Sequence, residues 1–297
     1  MSMFFQYWET LFQHEFVQNA FLVAPIVAIV TAIMGYFVVL RAQSFAGEAL
    51  ADIGFAGATG AAVFGISSLV GMLMMALLAA LGMGALGERI RGRDVEIGMM
   101  LSFALGLGVL FLSIYTQNGA NATAGIGVLF GSILSVTRTD VLASLITALL
   151  TLLMLALLFR PLLFASIDPV LAQARGVPVR LLSIIFLLLL ALATAEAVLV
   201  IGVLLVFSLL IAPAATAERL TRRPLTAITL SVVLALSFSW GGLILAFVGT
   251  GRHLPVSFYI SALAAISYFL SLLLSRIQSP RGYRALPHPS HEQTVTV

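Results

Sequence analysis

The chain has 297 residues, 61% of them hydrophobic and only 9% charged, with a formal net charge of +3. A soluble domain carries about 25% charged residues, so this sequence lacks the polar surface to face water and reads as an all-α, polytopic membrane protein. It has no cysteine, which excludes disulfides and thiolate metal sites, and its basic residues stand between apolar runs, which leaves no basic patch for nucleic acid.

A membrane span needs about 20 apolar residues at a rise of about 1.5 Å each. Residues 1–17, with Glu9 and Glu15 and no basic leader region, read as an extracytoplasmic segment and not as a cleavable signal. Apolar runs follow at 18–40, 45–65, 67–86, 97–115, 140–160, 181–200, 203–217, 226–249 and 256–275. They predict a bundle of eight to nine transmembrane helices within a permease domain spanning 18–276. Residues 122–136, "ATAGIGVLFGSILSV", are too short to span and read as a re-entrant or interfacial segment. Many small residues, as in "GFAGATGAAVFG", predict close helix approach. The polar, proline-containing stretch 277–297 reads as a disordered cytoplasmic tail.

All fifteen basic residues are arginine. With the N-terminus outside and the C-terminus inside, thirteen fall on the cytoplasmic side and only Arg138 and Arg252 on the other. That bias follows the positive-inside rule. It collapses if 122–136 is counted as a span, which supports the re-entrant reading.

Three places hold polar residues that apolar spans do not need. The first is "SFAGEALADIGFAG", residues 44–57, with Glu48 and Asp52 four residues apart. In a helix starting near Ser44 both carboxylates share one face, and Asp52 lies about 12 Å along it. Glu48 alone fits a first-turn acid favoured by the helix dipole. Asp52 is too deep for that, and intramembrane acids mark ion paths. The second is Glu196, about 24 Å into its helix from Arg180, which fits either a protonated hydrogen-bonding group or a path residue. The third is "SIDPVLAQARGVPVRLL", residues 166–182. Asp168 is placed as an N-cap, Pro169 at the first helical position and Gly176 just past the end, so a short helix over about 169–175 is predicted. Such a helix suits docking to a soluble partner. Pro213 is expected to break or kink its span, and Arg219, Arg222 and Arg223 to anchor a cytoplasmic end. His14, His253, His288 and His291 form no metal-ligand spacing; His253, in "GRHLPVS", is the one placed to serve as a weak entry ligand.

In this order, "RAQSFAGEALADIGFAG", "LFGSILSVTRTD", "DPVLAQARGVPV" and "VIGVLLVFSLLIAPAATA" followed by "HLPVS" resemble the membrane permease of bacterial zinc/manganese/iron ATP-binding-cassette importers. The resemblance covers roughly residues 18–276. It implies a multi-pass permease in the bacterial inner membrane, present as a dimer. Its implied partners are a cytoplasmic ATP-binding subunit, an extracytoplasmic metal-binding protein and the lipid bilayer, with no nucleic acid. A divalent metal passes as transported substrate and no cofactor is held permanently. It also implies that Asp168, Pro169, Ala172, Arg175 and Gly176 form the region that touches the ATPase. Two positions depart from the family pattern. An aspartate–x–x–x–histidine motif in the second span reads Glu48–x–x–x–Asp52, and an aspartate before Leu-Pro reads His253.

The metal path is therefore expected at Glu48 and Asp52, with Glu196 and His253 as weaker candidates. A two-fold homodimer would bring four carboxylates to one path. A P-loop needs a lysine; with none in the chain, the subunit is not an ATPase of that type, and energy must come from another chain or an ion gradient. Two rivals stand beside the metal permease. One is a permease for siderophore- or vitamin-type ligands, which needs no stacked carboxylates. The other is a secondary carrier relaying protons through Glu48, Asp52 or Glu196, for which inverted repeats are the expected sign.

Overall fold

The computed structural model describes residues 13–86, 94–117, 131, 133–221, 223–248 and 255–278. Its helices are α1 (Glu15–Leu40), α2 (Ser44–Val63), α3 (Ser68–Leu86), α4 (Asp94–Gln117), α5 (Arg138–Ile167), α6 (Pro169–Ala174), α7 (Val179–Ile201), α8 (Val203–Leu220), α9 (Pro224–Val248) and α10 (Val256–Gln278), with a 3-10 turn at Ile133–Ser135. Each of the nine expected apolar runs coincides with one long helix. Among the described residues, seven helices are long and apolar enough to cross a membrane, and α2 is not one of them. Of the predicted re-entrant stretch 122–136, all but residues 131 and 133–136 lies outside the described residues.

Two prolines behave differently from expectation. Helix α5 runs through Pro161 to Ile167, beyond the expected end at 160, and α8 runs unbroken through Pro213 to Leu220. A proline inside a helix costs one backbone hydrogen bond and a local clash. The adjoining helices of a membrane bundle absorb that locally, so the helix persists.

The connections fix which helix ends lie together. Arg41, just after α1, donates to the Ser183 hydroxyl near the start of α7 and lies over the Phe186 ring at 5.1 Å. Arg180 donates to the Ala85 carbonyl at the end of α3 (3.0 Å). The end of α1, the starts of α2 and α7, the end of α3 and helix α6 therefore share one face. At the opposite face Asn19 of α1 donates to the Val136 carbonyl (3.0 Å). Ser257 of α10 donates to the Ile201 carbonyl at the end of α7 (3.1 Å).

Helices α1 and α7 form the centre and are buried along most of their length. Helix α2 packs between α3 and α4 and touches α7 and α8. Its alanines and glycines let neighbours approach: a Cβ on Gly57 would sit 2.4 Å from the Gly71 carbonyl of α3. Helices α4, α5, α9 and α10 instead turn large apolar side chains outward, including Phe103, Leu149, Leu225 and Phe269. Such faces suit acyl chains and not water. Gly202, at φ +96° and ψ 153° between α7 and α8, occupies a region open essentially to glycine alone. It separates two helices that would otherwise run on.

Candidate functional site

Helix α2 starts at Ser44, as the sequence predicts, so Glu48 and Asp52 occupy one face one turn apart. Asp52 is 6% exposed although it carries a carboxylate; Glu48, nearer the helix start, is half-buried. The helix rise puts Asp52 about 12 Å from the α6 face of the bundle. Two carboxylates this close repel each other, and the deeper one has lost most of its water. A cation between them relieves both penalties. Among the described residues no group of three or more His, Cys, Asp or Glu side chains could hold a metal, so one chain supplies only a partial shell here.

Glu196 is not beside this pair. It lies about 26 Å from the start of α7, near the end opposite α6, and is 7% exposed. Its Oε2 accepts from the Thr147 hydroxyl of α5 at 3.0 Å, while Oε1 is buried with no hydrogen-bond partner. It lines a cavity of about 210 Å³ with Asp140, Ser144 and Thr147 of α5, and with Leu69 and Leu73 of α3. The two acidic stations thus differ in depth by about 14 Å along the helix axes. His253 lies outside the described residues.

The segment 166–182 folds as its caps dictate. Asp168 Oδ1 accepts from the Leu171 amide at 2.9 Å, and Pro169 opens α6 at the first position, where its missing N–H costs nothing. The helix ends one residue earlier than expected. There the Gly176 amide donates to Gln173 (3.0 Å) and the Val177 amide to Ala172 (3.0 Å). This is the Schellman closure, with Gly176 at φ +80°. Ala172 is fully buried against Ala165, Val179 and Leu182, and Arg175 lies 5.7 Å over the Phe164 ring. Val170, in contrast, is 76% exposed and Leu171 is exposed beside it. Of the five residues singled out here, Ala172 fixes the helix to the bundle, and Asp168, Pro169 and Gly176 fix its two ends.

Sequence reasoning missed Asp140, Ser144 and Thr147 as neighbours of Glu196. Their spacing, with Thr151 next, repeats at four, three and four residues, which is one helical stripe. That polar stripe in an otherwise apolar span is the signal that marks them.

Membrane-spanning helices around carboxylates shielded from lipid define a polytopic transport protein. More particularly, the chain belongs to the ABC 3 transport family, whose profile matches residues 13–275. It is 30% identical over 267 residues to the manganese transport system membrane protein MntC of Halalkalibacterium halodurans, covering 89% of this chain and 90% of that one. It is 32% identical over 280 residues to the manganese import system permease protein ScaB of Streptococcus parasanguinis, covering 93% and 96%. Among solved structures, PsaBC from Streptococcus pneumoniae in complex with Fab matches with a TM-score of 0.79 at 28% identity, over 90% of this chain and 94% of that one. The chain is thus a multi-pass permease of the metal-importer type.

Proposed function

We propose that the chain is the membrane subunit of an ATP-driven importer that carries a divalent metal, manganese by preference, across the bacterial plasma membrane. The observation that carries this is Asp52, buried within α2 on the same face as Glu48. Carboxylates are hard oxygen donors and suit Mn²⁺ better than a histidine-rich, zinc-type set. The likeness to manganese permeases supports the same cation.

A single chain offers two carboxylates here, and a divalent ion takes six or so ligands. A second copy related by two-fold symmetry would supply the matching pair, and retained waters the rest. In this reading α6 faces the cytoplasm and presents Val170 and Leu171 to the ATP-binding subunit, while an extracytoplasmic binding protein delivers metal at the opposite face. Protons compete with metal for carboxylates, so uptake weakens in acid.

The test is ⁵⁴Mn uptake into proteoliposomes by the reconstituted importer. Asp52→Asn and Glu48→Gln are near-isosteric and remove the charge. Each is expected to lower uptake by about ten-fold or more, and Asp52→His to shift preference toward zinc. Wild-type uptake by both neutral variants would make the pair structural and sink the reading.

A further inference from the structure

We propose that the cavity between α3, α5 and α7 is a second binding station for a divalent cation, with Glu196 as its principal ligand, the Thr147 hydroxyl and Ser144 as its remaining oxygen donors, and Asp140 as the carboxylate at its mouth. The proposal deepens the metal-import reading but stands on a different part of the molecule.

Four observations carry it. Glu196 is more than nine-tenths buried and lines the cavity, with Oε1 unpartnered. A buried carboxylate oxygen without a donor is costly, and a bound cation removes that cost. Its other oxygen is held by Thr147 at 3.0 Å, which fixes the carboxylate against α5. That hydroxyl also lies 3.0 Å from the Ala143 carbonyl and 3.1 Å from that of Ser144, so it can turn its proton there and leave a lone pair for a metal. Asp140, Ser144 and Thr147 then follow one face of α5, so the oxygens converge from two helices. Asp140 is exposed near the helix start, where Thr137 holds its Oδ2 through backbone amide (2.9 Å) and hydroxyl (2.6 Å). It therefore stands at the mouth and Glu196 inside.

The cavity, at about 210 Å³, holds a cation together with several waters. A carboxyl that merely kept a proton would need neither that volume nor a second carboxylate at its entrance. The α3 wall, Leu69 and Leu73, is apolar, which limits competing water and strengthens the ionic contacts. All polar donors are oxygen, so the class of ligand is a hard divalent cation. The station lies about 14 Å outward of the α2 pair, at the face opposite α6, where a cation entering from the binding protein would arrive first.

The experiment is a Mn²⁺ titration of the purified full-length chain in nanodiscs, with free Mn²⁺ read by its electron paramagnetic resonance signal. Glu196→Gln is expected to weaken one class of site by about ten-fold or more. Thr147→Val should weaken the same class and Thr147→Ser should spare it. The double variant Glu48→Gln/Asp52→Asn should leave that class in place, so the two readings fail separately. Loss of binding only in the α2 double variant, with Glu196→Gln and Thr147→Val unchanged, overturns this proposal and leaves the α2 path standing. Loss only in the Glu196 and Thr147 variants supports it and overturns the α2 site. Should Glu196→Gln not fold, the contrast between Thr147→Val and Thr147→Ser decides: equal affinity in the two overturns the proposal.

Discussion

The contact between α2 and α3 can be tested by a single methyl group. In Gly57→Ala the new Cβ would lie 2.4 Å from the Gly71 carbonyl oxygen and 2.6 Å from the Met75 Cβ. Ordinary contact begins near 3.4 Å, so α2 and α3 must part by about 1 Å. The obstacle is backbone and the root of a side chain, so it cannot rotate away. Overpacking of this kind costs about 1–3 kcal/mol, partly offset by about 1 kcal/mol of helix propensity gained over glycine. The control is Gly82→Ala on α3, where nothing lies within 4 Å of the added Cβ; only the propensity gain applies, and stability should rise. The assay is thermal unfolding of purified protein in one detergent, at about 2–4 °C per kcal/mol for a chain of this order. Gly57→Ala is expected to melt several degrees below Gly82→Ala, and to transport less because Asp52 rides on the displaced helix. Equal melting of the two variants would refute the reasoning about this contact.

Two further outcomes follow from the other end of the bundle. Asp168→Ala removes the α6 cap, worth about 1 kcal/mol, and Gly176→Val places a β-branched residue at φ +80°. Both should depress transport-coupled ATP hydrolysis while Asp168→Asn retains it, and wild-type coupling in the first two would remove α6 from that role. Single cysteines are readily placed in a chain that has none. With an impermeant thiol reagent on intact cells, Ile66→Cys between α2 and α3 should label from outside and Gln173→Cys in α6 only after permeabilisation; the reverse pattern would invert the topology.

The long helices were legible because each is a separate apolar run, and because the capped segment 168–176 marks a break in chemical terms. The end of α5 was placed too early, at Pro161, and the break or kink expected at Pro213 falls where α8 runs on, because neighbouring helices and not local sequence decide whether a proline stops a helix in a membrane. The acids at 48 and 52 stood out by composition, since an apolar run has no use for them. The surroundings of Glu196 did not. Asp140, Ser144 and Thr147 sit some fifty residues earlier in the chain, and only packing of α5 on α7 brings them to it. A spacing rule shows that they share a face; it cannot show what that face meets.

Helix α2 is 20 residues long but is not among the helices apolar enough to stand alone in lipid. Its two carboxylates and its many small residues account for that. A helix of this kind is stable in a bilayer only where other helices shield it. The fold does so with α3 and α4 on its flanks and α7 and α8 nearby, all rich in side chains that lipid tolerates. The small residues that weaken its hydropathy are the ones that permit this enclosure, as at Gly57 and Gly71. The requirement to carry acid into the membrane and the requirement for close packing are therefore met by one segment. That is why the stretch 44–57 combines carboxylates with glycine and alanine and not with leucine.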